Sequence, residues 1–120
     1  MKDFHKLKVW ERAHHLTLKV YQLSQDFPKE EVYGLTSQMR RSSTSIPTNL
    51  AEGCGRNGKA ETIHFFNVAI GSASELEYQL LLAHDLQYME DKYYIELSGE
   101  LIEVRRMLYA LVKKLKSDVQ

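Results

Sequence analysis

Apolar residues recur at alternating steps of three and four through three long segments of this chain. Val9, Ala13, Leu16, Val20, Leu23 and Phe27 are spaced 4-3-4-3-4. Phe66, Ala69, Ala73, Leu76, Leu80 and Ala83 follow 3-4-3-4-3, and Leu97, Leu101, Val104, Leu108, Leu111 and Leu115 return to 4-3-4-3-4. Such a row keeps one face of a helix apolar and favours near-parallel packing against another helix. No stretch alternates with period two, so strands are not expected. The spacing predicts helices over 7–25, 31–52, 60–87 and 92–116. The stop at Asp26-Phe27-Pro28 and the glycines Gly53, Gly55 and Gly58 separate the first three. An all-α, antiparallel up-and-down four-helix bundle filling one domain, 1–120, is the fold these rows predict.

The second helix differs from the other three. Between Met39 and Leu50 its only bulky apolar side chain is Ile46, and Ser42, Ser43, Thr44 and Ser45 run consecutively. A face this small either lets a neighbouring backbone come close or sets hydroxyls against polar partners. Pro47 lies inside the pattern, removes one backbone hydrogen bond and predicts a kink near 43–46. Further apolar residues spill beyond the rows: Trp10, Thr17 and Tyr21 beside the first, Ile102, Tyr109 and Val112 beside the last. They read either as a wide core face or as contacts outside the bundle.

Lys plus Arg equals Asp plus Glu at 16 each, so overall charge exerts no pull toward nucleic acid or an anionic membrane. The distribution is uneven, with Arg40, Arg41, Arg56 and Lys59 against Glu52 alone in 34–59, and eight acids against Lys92 alone in 60–100. The single cysteine, Cys54, excludes an internal disulfide and suits a reducing compartment. No apolar run is long enough for a membrane span, and the first residues lack a secretory core. A cytoplasmic location is expected.

Two patterns imitate functional sites. Gly53-Cys54-Gly55-Arg56-Asn57-Gly58-Lys59-Ala60 follows a phosphate-cradling loop up to its last position. That loop requires a preceding strand and a hydroxyl after the lysine, whereas here a helix precedes and Ala60 follows. A helix-terminating turn explains it better. Glu11 with His14 and Glu61 with His64 repeat the Glu-x-x-His spacing of di-metal bundles. At ~100° per residue both pairs point away from the apolar rows, so no metal or cofactor is expected. His5, His15 and His84 stand isolated, no catalytic constellation emerges, and no enzyme is expected. Arg40, Arg41, Arg56, Lys59, Lys113, Lys114 and Lys116 are candidate phosphate contacts, with Lys6, Lys8 and Arg12 as a second cluster. Repeated around an oligomer, even a modest patch grows in effect, because counterion release scales with the number of phosphates met.

The segment GLTSQMRRSSTSIPTNLAEGCGR, followed by FFNVAIGSASELEYQL, resembles the four-helix-bundle proteins encoded by intervening sequences of bacterial 23S rRNA genes. The opening FHKLKVWERAHHLTLKVYQLSQDFPKEEVYGL and the closing RRMLYALVKKLK fit the same family. The resemblance implies a bundle assembled as a homopentameric ring with a central channel. It also implies kinship with the accessory protein of diversity-generating retroelements, which has a basic surface and acts with a reverse transcriptase and nucleic acid. The residues that carry the match include Gln38, Arg40, Arg41, Ser45, Asn49 and Glu52. These are expected to fix helix or subunit register, with Ile102 and Tyr109 as further packing candidates.

The function expected is a non-enzymatic homo-oligomeric scaffold that binds nucleic acid, RNA before DNA, through phosphate contacts. The alternative is a protein-interaction module that docks a nucleic-acid enzyme on the second apolar rows and binds no nucleic acid itself.

Overall fold

The computed structural model describes residues 3–117, which form α1 (Lys8–Ser24), α2 (Leu35–Cys54), α3 (Lys59–Asp85) and α4 (Asp91–Ser117). Short 3₁₀ turns at Phe4–Lys6 and Lys29–Glu31 precede α1 and α2. Each helix packs on two neighbours, α1 on α2 and α4, and α3 on α2 and α4. The result is an up-and-down bundle of 50 × 23 × 20 Å.

The three apolar rows form its axis. All six predicted positions of α3 are fully buried, as are Ala13 and Leu16 of α1 and Leu101, Val104 and Leu108 of α4. The α4 row departs from the expectation at its end. Leu111 and Leu115 are half-buried and Val112 is the buried residue instead. A straight helix turns every 3.6 residues, so a strict 3.5-residue row drifts off the core within a few turns. Val112 therefore belongs to the core and not to a second row.

The second helix begins at Leu35, four residues later than the apolar pattern predicts. Gly34, at φ −116° and ψ −115°, turns the chain out of helical geometry. Glu31 reaches across the break, its Oε1 accepting the Leu35 N–H at 3.0 Å. The same carboxylate accepts the Tyr88 hydroxyl at 2.9 Å, tying the α1–α2 connection to the end of α3. The Leu35 N–H and then the Tyr88 hydroxyl hold the Glu31 carboxyl below the usual carboxylate range.

Helix α2 continues unbroken through Pro47. The proline cannot donate to the Ser43 carbonyl, and the Thr17 hydroxyl of α1 takes that place at 2.9 Å. Thr17 is buried, so it is an inter-helix bond and not an outlying apolar residue. Two further hydroxyls of this thin helix face partners on α3. Ser42 donates to the Gln79 side chain of α3 at 2.5 Å, and Ser45 and Ser72 share a bond at 2.7 Å. No buried side-chain nitrogen or oxygen among the described residues lacks a hydrogen bond.

Helix α3 ends on a left-handed residue, Gln87, at φ 63°. The Gln87 N–H donates to His84 O and the Tyr88 N–H to Ala83 O, both at 2.9 Å, which closes the last turn. A side chain pays a steric penalty at this position that glycine avoids. Gln87→Gly is expected to raise stability by about 0.5–1 kcal/mol, read as a higher urea midpoint with unchanged m-value.

Candidate nucleic-acid interface

Antiparallel topology gathers the N-terminus of α1, the α2–α3 turn and the C-terminus of α4 at one end of the bundle. Phe4 and Trp10 border a groove with Pro47, Thr48 and Ala51 of α2, and Leu7 and Lys8 border another with Leu111 and Lys114 of α4. Lys6, Lys8, Arg56, Lys59, Lys113, Lys114 and Lys116 therefore meet at this end, although they lie far apart in sequence. The opposite end carries Asp26, Glu30, Glu31, Asp85, Glu90 and Asp91 against Lys29 and Lys92 at the α1–α2 and α3–α4 connections. The evenly balanced chain is thus polarised along its axis.

The basic residues at this end differ in freedom. Arg56 bonds Glu52 at 2.8 Å, lies 3.8 Å from Glu61 and covers the Phe65 ring at 4.7 Å. It bridges α2 to α3 and leaves 40% of its side chain exposed. Lys8, Lys113, Lys114 and Lys116 are exposed, and none has an ion-pair partner among the described residues. The last turn of α4 also places its lysines at the negative end of the helix dipole.

Arg40 and Arg41 do not join this cluster. They sit more than three turns back along α2, about 20 Å from its C-terminus. The Arg40 Nε donates to Ser24 Oγ at 2.8 Å and its Nη2 to Tyr21 O at 3.2 Å, while the guanidinium stacks on the Tyr21 ring at 4.8 Å. Arg40 thus bolts α2 to the end of α1. Arg41 is exposed beside it, at the edge of a groove of about 630 Å³ that also includes Val32, Ser37, Thr44, Ser45 and Asn49.

The packing candidates separate in the same way. Asn49 Nδ2 donates to Ser45 O at 2.8 Å and to Ser45 Oγ at 3.0 Å, orienting the hydroxyl that meets Ser72 of α3. Glu52 holds Arg56 within the α2–α3 corner. Gln38 is exposed on α2, and Ile102 and Tyr109 of α4 are 52% and 57% exposed.

The decoy loop is part of this same corner. Thr62 Oγ1 donates to Gly53 O at 2.9 Å, and Gly53 lies against the Phe66 ring. Cys54 is buried, and burial pushes its thiol pKa up, away from the reactive thiolate. His14 stacks on Trp10 at 5.2 Å, and His64 meets the edge of Phe65 at 5.1 Å. Among the described residues no group of three or more His, Cys, Asp or Glu is placed to hold a metal ion, and no helix is long and apolar enough to cross a membrane.

Sequence reasoning missed Glu31, Ser42 with Gln79, and the polar role of Thr17. Pro47 was the available signal for the last, because a proline in a buried helix leaves the carbonyl four residues back in need of a donor.

Helix order and packing define a protein of the up-and-down four-helix-bundle class. The family model described as 23S rRNA-intervening sequence protein matches residues 5–110, and the chain belongs to that family. A crystal structure of a protein of unknown function from the S23 ribosomal protein family of Bacteroides thetaiotaomicron VPI-5482 has the same fold. Its TM-score is 0.81 at 24% identity over 88% of this chain and 95% of that one. No curated protein matches the chain.

Proposed function

We propose that the protein is a non-enzymatic, homo-oligomeric scaffold of one four-helix domain, a pentameric ring on the family resemblance, whose basic end holds nucleic acid. The observation that carries this reading is the gathering of the exposed Lys8, Lys113, Lys114 and Lys116 beside the α2–α3 turn, where Glu52 and Glu61 are already engaged by Arg56. Exposed lysines on separate elements suit phosphate contact without base readout. RNA is the partner proposed before DNA.

Fluorescence anisotropy with a labelled single-stranded RNA tests this. Binding is expected at low micromolar protein and should weaken steeply between about 50 and 200 mM salt. Lys8→Ala with Lys114→Ala and Lys116→Ala should weaken it at least about tenfold and flatten the salt slope by about two to three. Arg41→Ala, remote from the basic end, should change it less than about twofold. Absence of salt-sensitive binding to RNA or DNA at low salt sinks the reading.

A second reading draws on the exposure of Ile102 and Tyr109. A partner protein, such as a nucleic-acid enzyme, would seat on them while the scaffold itself bound no nucleic acid.

A further inference from the structure

The side of the bundle between α1 and α2 carries an aromatic groove that phosphate contact by lysines leaves unexplained. Helix α2 contributes only small side chains there, Thr44, Pro47, Thr48 and Ala51, so the rings of α1 stand above a trough of about 470 Å³. That volume suits a small planar ligand. Trp10 forms one wall. His14 stacks on it at 5.2 Å with the two rings 6° apart, and Phe4 meets it edge-on at 4.7 Å. Tyr21 stands at the other end, eleven residues or about 16 Å along the helix. Phe4 and His5 pin the first turn of the chain against Trp10. His14, Leu18 and Tyr21 take no part in that contact, and all three are exposed, Leu18 at 52% and Tyr21 at 42%. Rings and aliphatic carbon left uncovered along one groove mark a binding surface more than a core.

Charge identifies the occupant. No carboxylate, lysine or arginine lines the groove, yet cations stand at both of its ends. Lys6 and Lys8 lie just before Trp10, exposed and without an ion-pair partner among the described residues. At the far end the Arg40 guanidinium covers the Tyr21 ring at 4.8 Å. The acids beside this groove in sequence are turned elsewhere. Asp3 bonds His5 and Glu52 bonds Arg56, each at 2.8 Å, while Glu11 borders a separate groove with Arg12 and Glu100. An apolar peptide side chain would have no use for cations at the rim, and a phosphate alone would have no use for the rings. A neutral aromatic surface continuous with a basic one matches a nucleic-acid strand whose bases are free to stack and whose phosphates lie alongside. A base inside a duplex has both faces covered and cannot enter.

We propose that the α1–α2 groove stacks an unpaired nucleobase on Trp10 and His14, so that the nucleic acid it takes is a single strand. The inference rests on the phosphate-binding reading of the basic end and adds to it the class of strand. Stacking of this kind needs no particular base, because every base offers a π face.

Trp10 is the only tryptophan of the chain, so its emission reports on the groove directly. Titration of the full-length protein with single-stranded oligoadenylate RNA should quench that emission, and the same strand annealed to oligouridylate should leave it unchanged. Trp10→Leu keeps apolar bulk and removes the ring. It should weaken oligoadenylate binding, read by anisotropy, about tenfold, with an unchanged salt slope because no phosphate contact is lost. Trp10→Phe should recover most of that affinity. His14→Ala, at an exposed position, should weaken binding severalfold and keeps the test open if Trp10→Leu disturbs the fold. Salt-sensitive binding with Trp10 emission unmoved, or with His14→Ala and Trp10→Leu as tight as the parent, overturns the groove and leaves the basic end standing. Equal quenching by the duplex overturns the assignment to a single strand. Absence of salt-sensitive binding to any RNA removes the basic end, and the groove's role falls with it.

Discussion

Gly53→Ala is expected to lower the unfolding free energy by about 2–3 kcal/mol, although replacing a helical glycine by alanine elsewhere would raise it. The gain in helix propensity is about 1 kcal/mol, and sterics decide the sign. A Cβ on Gly53 would lie 2.8 Å from Phe66 Cε1, 3.0 Å from its Cδ1 and 3.2 Å from the Thr62 carbonyl oxygen. The Phe66 ring is fully buried and has no solvent to move into, while the carbonyl is backbone. Relief therefore requires α2 and α3 to separate where Thr62 also bonds the Gly53 carbonyl. Urea unfolding followed by circular dichroism measures the loss. Phe66→Leu alone should also destabilise the fold by leaving a partial cavity, but combined with Gly53→Ala it should cost less than the two singles together. A neutral Gly53→Ala would mean that the helices do not approach here as closely as the contacts require.

The difference between α2 and its neighbours explains how much of the fold is legible in sequence. Where a helix buries large apolar side chains, periodicity alone locates it, and the α3 row of Phe66, Ala69, Ala73, Leu76, Leu80 and Ala83 is buried throughout. The start of α2 is not legible in this way, because Glu31 is a good helix former whose real role is a long-range cap shared with Tyr88, 57 residues away. At the end of α4, Leu111 and Val112 are equally apolar, and only the helical pitch chooses between them.

Legibility falls further at the candidate interface. Sequence identifies the cations and cannot say which are already engaged. Arg40 and Arg41 are adjacent and chemically identical, yet Ser24 and the Tyr21 carbonyl and ring engage the first. The gathering of Lys8 with Lys114 depends on topology, because the two are joined only by the closure of the bundle. The exposed apolar residues of α4 were legible in part, through Ile102 and Tyr109, while Ile95 is also exposed and Val112 belongs to the core.

The pairing of Thr17 with Pro47 yields the second large expected effect. Thr17→Val should cost about 2 kcal/mol, because the buried Ser43 carbonyl loses the hydroxyl 2.9 Å away and has no backbone donor at residue 47. The Thr17 hydroxyl also lies 3.0 Å from Ala13 O, one turn back in α1. That carbonyl is within reach of the helix's own N–H ladder, so the single hydroxyl hydrogen matters most at Ser43. Pro47→Ala supplies the missing N–H. In that background Thr17→Val should cost less than about 1 kcal/mol, so the cycle closes with a coupling of about 1 kcal/mol or more. Equal costs of Thr17→Val in both backgrounds would show that the hydroxyl serves packing alone. A cost confined to the proline background ties the conformation of α2 to α1 through one bond. It also gives a physical reason for a proline to sit inside a helix made mostly of serine, threonine and other small residues: the carbonyl it frees is what joins the two helices.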